Sequence, residues 1–392
     1  MREAVIVAYG RSAIGKAPKG MLKDTRPEDF TAEVLCGTLA KVPELDPLLI
    51  EDLILGCAFP ESEQGYNVAR NVVFRAQLPD TVTAYTLNRF CASGLQSIAS
   101  ASASIISGQA EVVLAGGMES MSMVPINGNN KSPNPYLIDN YSQAYLSMGL
   151  TAENVAKKYG VSRQAQDEFA LTSHQRAAKA QDEGKFDAQI IPVHAVCPTM
   201  DENGRPSSKT VVFDKDEGIR KNISIEKLSA LRTVFQKDGT VTAGNASQTS
   251  DGAAIVLLMS ADKAKSLGIK PLAKLLSFAT TGVDPAYMGI GPVTAIPKAL
   301  KQAGKTMADI QLIELNEAFA SQSLACIQEL GLNPDIINVN GGAIALGHPL
   351  GCTGSFLLAK LLSEMDLRGD NCGLISMCIG GGMGAAAVFE RM

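Results

Sequence analysis

The sequence predicts a layered α/β protein in which a unit of alternating strands and helices occurs twice, with a loop-rich lobe inserted into the first copy. Three observations predict it. Strand-like and helix-like stretches alternate from Ala4 to Gly117 and restart at Pro271. Two peptides of the first stretch recur in the second at a single offset. Between the copies, from Glu119 to about Ser247, the alternation gives way to turn residues and polar helices.

Taken in order, Ala4–Ala8 reads as the first strand. Pro27 opens a helix through Phe30, Val34, Leu35 and Leu39, since proline suits a first helical position and the apolar residues return at helical spacing. A strand over 52–57, a helix around 67–77 and a strand over 81–87 follow. The last of these runs into a short polar turn at Cys91, and Leu95, Ile98, Ile105 and Ile106 mark the helix beyond. A strand over 112–115 ends in Gly116-Gly117. The lobe opens on Asn127-Gly-Asn-Asn-Lys-Ser-Pro-Asn-Pro135, carries helices near 151–159 and 163–183, and turns again at Asp201-Glu-Asn-Gly-Arg-Pro206. Arg220, Lys221 and Lys227 cluster within it. A strand over 253–259 and a short helix return to the first unit. The second unit reads as strands over 272–280, 310–315, 336–340, 373–378 and 384–389, with helices over 292–303, 318–330 and 353–364.

The repeat has a fixed register. Ile54-Leu-Gly-Cys-Ala-Phe59 resembles Glu314-Leu-Asn-Glu-Ala-Phe319, and Cys91-Ala-Ser-Gly94 resembles Gly351-Cys-Thr-Gly354; both are displaced by 260 (319 − 59 and 354 − 94). Matching turns of two such copies meet about a pseudo-twofold axis. The expected organisation is therefore 1–118 plus 248–270 as a first domain, 119–247 as the inserted lobe, and 271–392 as a second domain.

Composition excludes several classes. A net charge of −5 gives no global field for nucleic acid or an anionic membrane, so an anionic ligand needs a local basic patch. No apolar run approaches the ~18 residues of a membrane span. The chain enters a strand at once and ends on Val-Phe-Glu-Arg-Met392, which is not a peroxisomal tripeptide, so a cytoplasmic location is expected. The 8 cysteines form no C-x-x-C pair and only 3 histidines accompany them, which argues against a zinc site and for a reducing compartment. Cys36, Cys57 and Cys326 read as core filler.

Four segments can carry chemistry, each where a strand runs into a turn, the place where α/β sheets hold ligands. Cys91 precedes a helix N-terminus, where unpaired N–H groups and the helix dipole favour a thiolate; its proton is expected to leave more easily than a free thiol's pKa of about 8.5 suggests. Ala92, Ser93 and Gly94 leave room for a substrate. Asn316 ends a strand and suits either a carbonyl contact or a cap on the next helix. His348 is the one imidazole in a loop of small residues, Gly341 to Gly354, and near Cys91 it would act as the base that activates a nucleophile. Cys378 opens the turn Gly380-Gly-Gly-Met-Gly384, whose N–H groups suit a developing oxyanion. That turn also loosely fits a dinucleotide fingerprint. A strand and not a helix follows it, however, and no chain remains for a ribose-binding acid.

Over nearly the whole chain, Ala4 to Phe389, these residues resemble the thiolase family. The likeness rests on Asn88-x-x-Cys91-x-Ser-Gly-Leu-Gln96, Asn316-Glu-Ala-Phe319, Gly341-Gly-Ala-Ile-Ala-Leu-Gly-His348-Pro-Leu-Gly351 and Cys378-x-Gly-x-Gly382. It implies a duplicated five-layered α/β/α/β/α fold with the lobe holding coenzyme A. By match, Cys91 is the nucleophile that becomes an acyl-thioester, His348 its base, and Cys378 the acid/base at the acetyl-CoA enolate. Asn316, through a water, and His348 hold the enolate oxygen, while the N–H groups of Cys91 and Gly380 hold the oxyanion. Arg220 meets the nucleotide end of CoA and Ser247 the pantetheine, whose tunnel Phe235, Met288 and Phe319 line. Coenzyme A and acyl-CoA enter as substrates, with no permanently bound cofactor and no metal. A homodimer or homotetramer is implied, with strands such as 112–115 near the interface.

Ser147-Met148-Gly149 stands where short-chain biosynthetic members usually carry His-Met-Gly, which places Met148 near the substrate. Together with Ser247-Gln-Thr-Ser-Asp251 it points to the degradative, β-oxidation type: a 3-ketoacyl-CoA thiolase. The alternatives are an acetoacetyl-CoA thiolase with a tighter acyl pocket, a decarboxylating or acyl-carrier-protein-dependent condensing enzyme, and a non-catalytic CoA-binding scaffold. Cys378 in its glycine turn speaks against the second of these, and intact Cys91 and His348 against the third.

Overall fold

The computed structural model describes residues 2–392. Its first unit contains β1 (Ala4–Arg11), β2 (Gly15–Lys16), α1 (Pro27–Leu39), β3 (Asp52–Gly56), α2 (Val68–Arg75), β4 (Thr83–Leu87), α3 (Ser93–Ile106) and β5 (Val112–Ser120). The lobe follows, with α4 (Pro135–Asn140), α5 (Met148–Tyr159), α6 (Arg163–Asp182), the antiparallel ribbon β6 (Val193–Met200) and β7 (Pro206–Phe213), and α7 (Ile225–Ser229). The chain then returns through β8 (Ser250–Ser260) and α8 (Ala261–Leu267). The second unit holds β9 (Ala273–Gly282), α9 (Gly291–Ala303), β10 (Leu312–Leu315), α10 (Ala320–Leu330), α11 (Ala343–Leu346), α12 (Thr353–Arg368), β11 (Cys372–Ile379) and β12 (Met383–Arg391).

The two units repeat one topology. The first sheet runs β4-β3-β5-β8-β1 and the second β10-β11-β12-β9. In each, a parallel pair (β3 with β5, β10 with β11) is followed by two antiparallel pairings. The starts of β3 and β10, of α3 and α12, and of β5 and β11 are each displaced by 260 (312 − 52, 353 − 93, 372 − 112). Where the second copy of β4 belongs, only a single parallel bridge, Ile313 to Ile337, remains. The strand expected over 336–340 is thus absent as a ladder: Pro334 opens a 3-10 turn there and takes the chain out of register. The two sheets join edge to edge through one pairing, Ile6 with Ala273.

Side-chain burial resolves five layers. Helices α1 and α2 pack on the outer face of the first sheet through Phe30, Val34, Leu35 and Val72. On the far side, α9 and α10 cover the second sheet through Ile296, Leu300 and Cys326. Between the sheets lie α3 and α12, with Leu95, Ile98 and Ile105 of one and Leu357, Leu358 and Leu361 of the other in one core. The lobe is pinned to this body by Arg11. Its guanidinium makes a fully buried, two-pronged contact to Asp216 (2.8 and 2.9 Å) and sits over the rings of Phe186 and Phe356.

Glycine sets how closely the central helices approach. A Cβ on Gly94 would lie 2.8 Å from the Gly351 carbonyl oxygen and 2.9 Å from the Ser355 nitrogen. A Cβ on Gly354, its repeat mate, would overlap the Leu95 backbone, and one on Gly117 would overlap the Gly351 carbonyl. The strand expected to end at Gly116-Gly117 therefore continues through both to Ser120, because these glycines let the second unit's loop lie against an unbroken strand.

Two other expectations are corrected. Cys36 is exposed, because it lies off the stripe of α1 formed by Phe30, Thr31, Val34, Leu35 and Thr38. Residues 112–115 are paired on both sides and buried, so they do not reach a surface; the open edge of the first sheet is β4. Among the described residues, no helix is long and apolar enough to cross a membrane.

The helix contact can be tested by filling it. Gly354→Val is expected to lower unfolding stability by about 3 kcal/mol or more, since neither facing backbone can yield. Gly282→Ala, whose Cβ meets open space, is expected to stay within about 0.5 kcal/mol of the parent. Urea denaturation midpoints check the pair.

Candidate active site

Cys91 lies in a 3-10 turn, Phe90–Ala92, immediately before α3. Phe90 takes a left-handed φ of 44° there, held by its N–H to Asn88 Oδ1 (2.7 Å) and by Ser93, whose hydroxyl donates to the Phe90 carbonyl (2.7 Å). The turn puts the sulfur in an apolar nest of Ala17, Ala58, Met121 and Leu350, with Phe59 and Phe90 beside it. Leu350 comes from the second unit's glycine loop, so this nest spans both copies.

The backbone N–H groups of Gly380 and of Cys91 itself lie near the Cys91 sulfur and favour its thiolate. Gly380 follows β11, in the turn that leads into β12. A Cβ there would meet the Phe90 ring and the Met148 sulfur at 3.7 and 3.8 Å, so Gly380 sits in a slot between them. Cys378, at the end of β11, is buried in a second apolar cluster with Met288, Ala318 and Phe319, flanked by Met148 and Ala246. The two cysteines are electrostatic neighbours: burial first, then the Cys91 charge, holds the Cys378 thiol well above its ordinary pKa.

His348 is positioned from both ring edges and from its backbone. Its Nδ1 lies 2.6 Å from Thr353 Oγ1 and its Nε2 3.4 Å from Asn316 Nδ2. Its N–H donates to the Gln248 carbonyl (3.0 Å) and the Ser250 hydroxyl (3.1 Å). Asn316 keeps its other polar atom, Oδ1, buried without a protein partner, an acceptor placed to take a hydrogen bond from a water. Beneath the loop, Glu317 accepts from Ser173 (2.6 Å), Asn338 (2.9 Å) and the Ile344 N–H (3.2 Å). From the first unit, Glu119 accepts from the N–H groups of Ala58 (2.7 Å) and Gly351 (2.8 Å) and from Gln64 (2.9 Å).

Burial dominates the electrostatics. It pushes the Cys91 thiol up to about 11, although the two N–H groups oppose it, and it pulls the His348 imidazole down to about 4. The expectation of an acidic thiol is thus overturned. Desolvation outweighs the helix terminus, so the substrate-free site rests as neutral thiol and neutral imidazole.

The remaining residues fall into two groups. Phe235 meets Phe319 edge to face, with ring centroids 6.2 Å apart, and lies over Gly149, where a Cβ would overlap the ring. Ser247 donates its N–H to the Ala318 carbonyl (3.0 Å), and Ala246 bridges to Phe319. Phe235, Met288, Phe319, Met148 and Ser247 therefore gather about Cys378. Arg220 stands apart, in a surface cleft of about 360 Å³ shared with Lys221, Lys227, Leu228 and Leu231. Leu228 and Leu231 in turn pack against Gly244, three residues before Ser247. His174 Nδ1 accepts the Arg220 N–H (3.1 Å). Glu119, Ser250, His174 and Thr353 escaped sequence reasoning. An acid closing an apolar, glycine-bearing strand was a signal for Glu119; the others have none beyond their neighbours in space.

The chain matches the family models described as "Thiolase, N-terminal domain" over residues 4–262 and "Thiolase, C-terminal domain" over residues 269–391. It is 55% identical over 390 residues to a 3-ketoacyl-CoA thiolase of Bacillus subtilis (strain 168), covering 100% of both chains. It is 47% identical to the peroxisomal 3-ketoacyl-CoA thiolase 2 of Arabidopsis thaliana, covering 99% of this chain and 84% of that one. A solved structure, that of the Bacillus anthracis acetyl-CoA acetyltransferase, superposes with a TM-score of 0.90 at 40% identity, over 100% of this chain and 99% of that one.

The burial of two neutral histidines makes an acid-side prediction. His348 and His174 are both held near pKa 4 by desolvation, whereas in the unfolded chain they protonate near 6.5. Between those values the unfolded state binds more protons, so stability falls as pH drops through 6.5 toward 4. At pH 5 the loss is about 2 kcal/mol per histidine. Urea titrations at pH 7 and 5 should show this slope shallower in His348→Asn and in His174→Asn than in the parent; parallel slopes would contradict it.

Proposed function

The chain belongs to the thiolase family, and we propose that it catalyses thiolytic cleavage of a 3-ketoacyl-CoA by CoA to acetyl-CoA and a shortened acyl-CoA, as in fatty-acid β-oxidation. The observation that carries this reading is its full-length likeness to relatives of that name. The enzyme is an acyltransferase that uses CoA.

In this reading Cys91 gives its proton to His348 as its sulfur attacks the 3-keto carbon. The N–H groups of Cys91 and Gly380 receive the oxyanion. Each such donor is typically worth about 3–4 kcal/mol in the transition state. Collapse breaks the bond between C2 and C3, leaving the acyl group on Cys91 and the electron pair on the enolate of acetyl-CoA. The enolate oxygen is held by His348 and, through a water, by Asn316, and its carbon takes the proton of Cys378. CoA then gives its thiol proton to the Cys378 thiolate and attacks the acyl-cysteine. Cys91 leaves and recovers its proton from His348. Two sulfurs are needed because the one that carries the acyl group cannot also move the proton. The neutral resting pair fits this order: charge separates only when a polar carbonyl arrives to receive it.

The same proposal divides the chain at 118, 247 and 270, with 119–247 as the CoA-binding lobe. Arg220 and its lysine neighbours face the CoA phosphates, and Ser247, Phe235, Met288, Phe319 and Met148 face the pantetheine and the acyl root. CoA and acyl-CoA are substrates and no cofactor is resident. The open β4 edge supports a homodimer or homotetramer. The Bacillus relative supports a cytoplasmic location, although the plant relative is named peroxisomal.

The solved relative, an acetyl-CoA acetyltransferase by name, favours a second reading, in which acetoacetyl-CoA is the preferred substrate. Rates along a 3-ketoacyl-CoA series separate the two: sustained turnover beyond acetoacetyl-CoA is expected, and loss of all longer substrates selects the second. Cys378→Ala is expected to lower kcat by roughly 10²–10⁴, the usual range for a lost proton-transfer group. A full-rate variant would move the chemistry to another group. Arg220→Ala should raise KM for CoA by up to about tenfold at low salt with little change in kcat, and by less as ionic strength rises.

A further inference from the structure

The hydroxyl of Thr353 lies against the ring of His348, and the matching position of the first unit shows what differs there. Thr353 opens α12 and is fully buried. Its Oγ1 lies 2.9 Å from the Pro349 carbonyl oxygen and 2.6 Å from His348 Nδ1. A threonine hydroxyl carries one hydrogen and two lone pairs. With its hydrogen donated to the Pro349 carbonyl, which also takes the Cys352 and Thr353 N–H groups, the hydroxyl presents a lone pair to Nδ1, and in that arrangement the Nδ1 contact is a donation from the ring. On the opposite edge, an amide N–H of Asn316 faces Nε2 at 3.4 Å, which asks the same of the ring: hydrogen on Nδ1, lone pair on Nε2.

The first unit supplies the comparison. Displaced by 260, Thr353 corresponds to Ser93, Pro349 to Arg89 and His348 to Asn88. In that copy the Arg89 N–H donates to Ser93 Oγ (2.9 Å) and occupies the oxygen. Proline has no N–H to give. In the second copy the matching oxygen is therefore left with an unused lone pair, and His348 Nδ1 fills the position.

We propose that Thr353 is a positioning residue for the cleavage reaction: by accepting the His348 Nδ1 hydrogen, it keeps the Nε2 lone pair directed at the reacting groups. Pro349 serves it by removing the competing backbone donor. The inference rests on the proposed function, in which His348 takes the Cys91 proton. When it does so, Nε2 gains the hydrogen and Nδ1 retains its own, and the imidazolium stays hydrogen-bonded to Thr353. The partner is a neutral hydroxyl and not a carboxylate, so it orients the ring without creating an ion pair in the resting site.

The test is Thr353→Val, which keeps the shape and removes the acceptor, compared with Thr353→Ser, which restores it. Steady-state kinetics with a 3-ketoacyl-CoA are expected to show kcat reduced by roughly 10²-fold or more in Thr353→Val, within the span a general base contributes, with KM changed less than about threefold. Thr353→Ser should return to within about threefold of the parent. The tautomer is read separately by NMR of protein labelled with ring-¹⁵N histidine, which is tractable with 3 histidines in the chain. The parent and Thr353→Ser should show His348 protonated on Nδ1, and Thr353→Val should show that signature lost. A parent with the hydrogen on Nε2, or a Thr353→Val enzyme with unchanged kcat, overturns the proposal. A parent with no thiolase activity overturns the functional reading instead, and the NMR spectrum still decides the tautomer.

Discussion

The structure depends on two helices meeting backbone to backbone. Where α3 and α12 cross between the sheets, Gly94 and Gly354 face each other's chains without a side chain between them, and Gly117 lets the Gly351 carbonyl against β5. Without that approach, the loop from Gly341 to Gly354 would stand off from the turn at Cys91. Glu119 adds a polar staple at the same place. Fully buried, it takes N–H donors from Ala58 and Phe59 of the first unit and from Gly351 of the second. A buried carboxylate is costly unless each oxygen is satisfied, and here donors from both copies do so together. The candidate site is thus assembled at the seam of a duplication: the Cys91 turn comes from the first copy, the His348 loop and Cys378 from the second.

The duplication also explains the division of labour among equivalent positions. The turn before α3 is closed on itself, with Ser93 bonded to Arg89 and Phe90. The matching turn before α12 is opened by Pro349, and its hydroxyl is directed at His348. A buried ion pair, Lys360 with Glu314 at 2.7 Å, fixes the same loop from below through a further bond from Lys360 to the Gly341 carbonyl (2.6 Å). Burial raises Glu314 to about 6 against the pull of Lys360. Such pairs add little net stability but are expensive to break, which suits a loop that must hold one geometry.

Much of this was legible in the sequence. The 260-residue offset, read from two short peptides, is the displacement of three pairs of elements, because a duplicated unit keeps its turn lengths at the axis even where its surface drifts. Cys91, His348, Asn316, Cys378 and Gly380 could be named from strand-end turns rich in glycine, since a backbone must approach a ligand there. Other features were illegible for physical reasons. The acidity of Cys91 was misjudged because the helix terminus is a local feature, whereas its desolvation comes from Leu350 and Met121, remote in sequence. Cys36 looked apolar by composition but lies on the wet side of its helix. Gly116-Gly117 looked like a strand end, because a pair of glycines reads as a turn unless the loop packed on it is known. Thr353 carried no signal at all until its oxygen could be counted against the donors around it.

The most direct test of the central claim is to ask which sulfur receives the acyl group. Protein mixed with a 3-ketoacyl-CoA in the absence of free CoA, quenched in acid and digested, should yield one acylated peptide in the mass spectrum. That peptide should be the one containing Cys91, with acetyl-CoA released in equal amount. Acylation of Cys378 in place of Cys91, or release of acetyl-CoA with no acylated cysteine, would contradict an account in which the seam of the two units exists to bring a nucleophile, a base and a second thiol together.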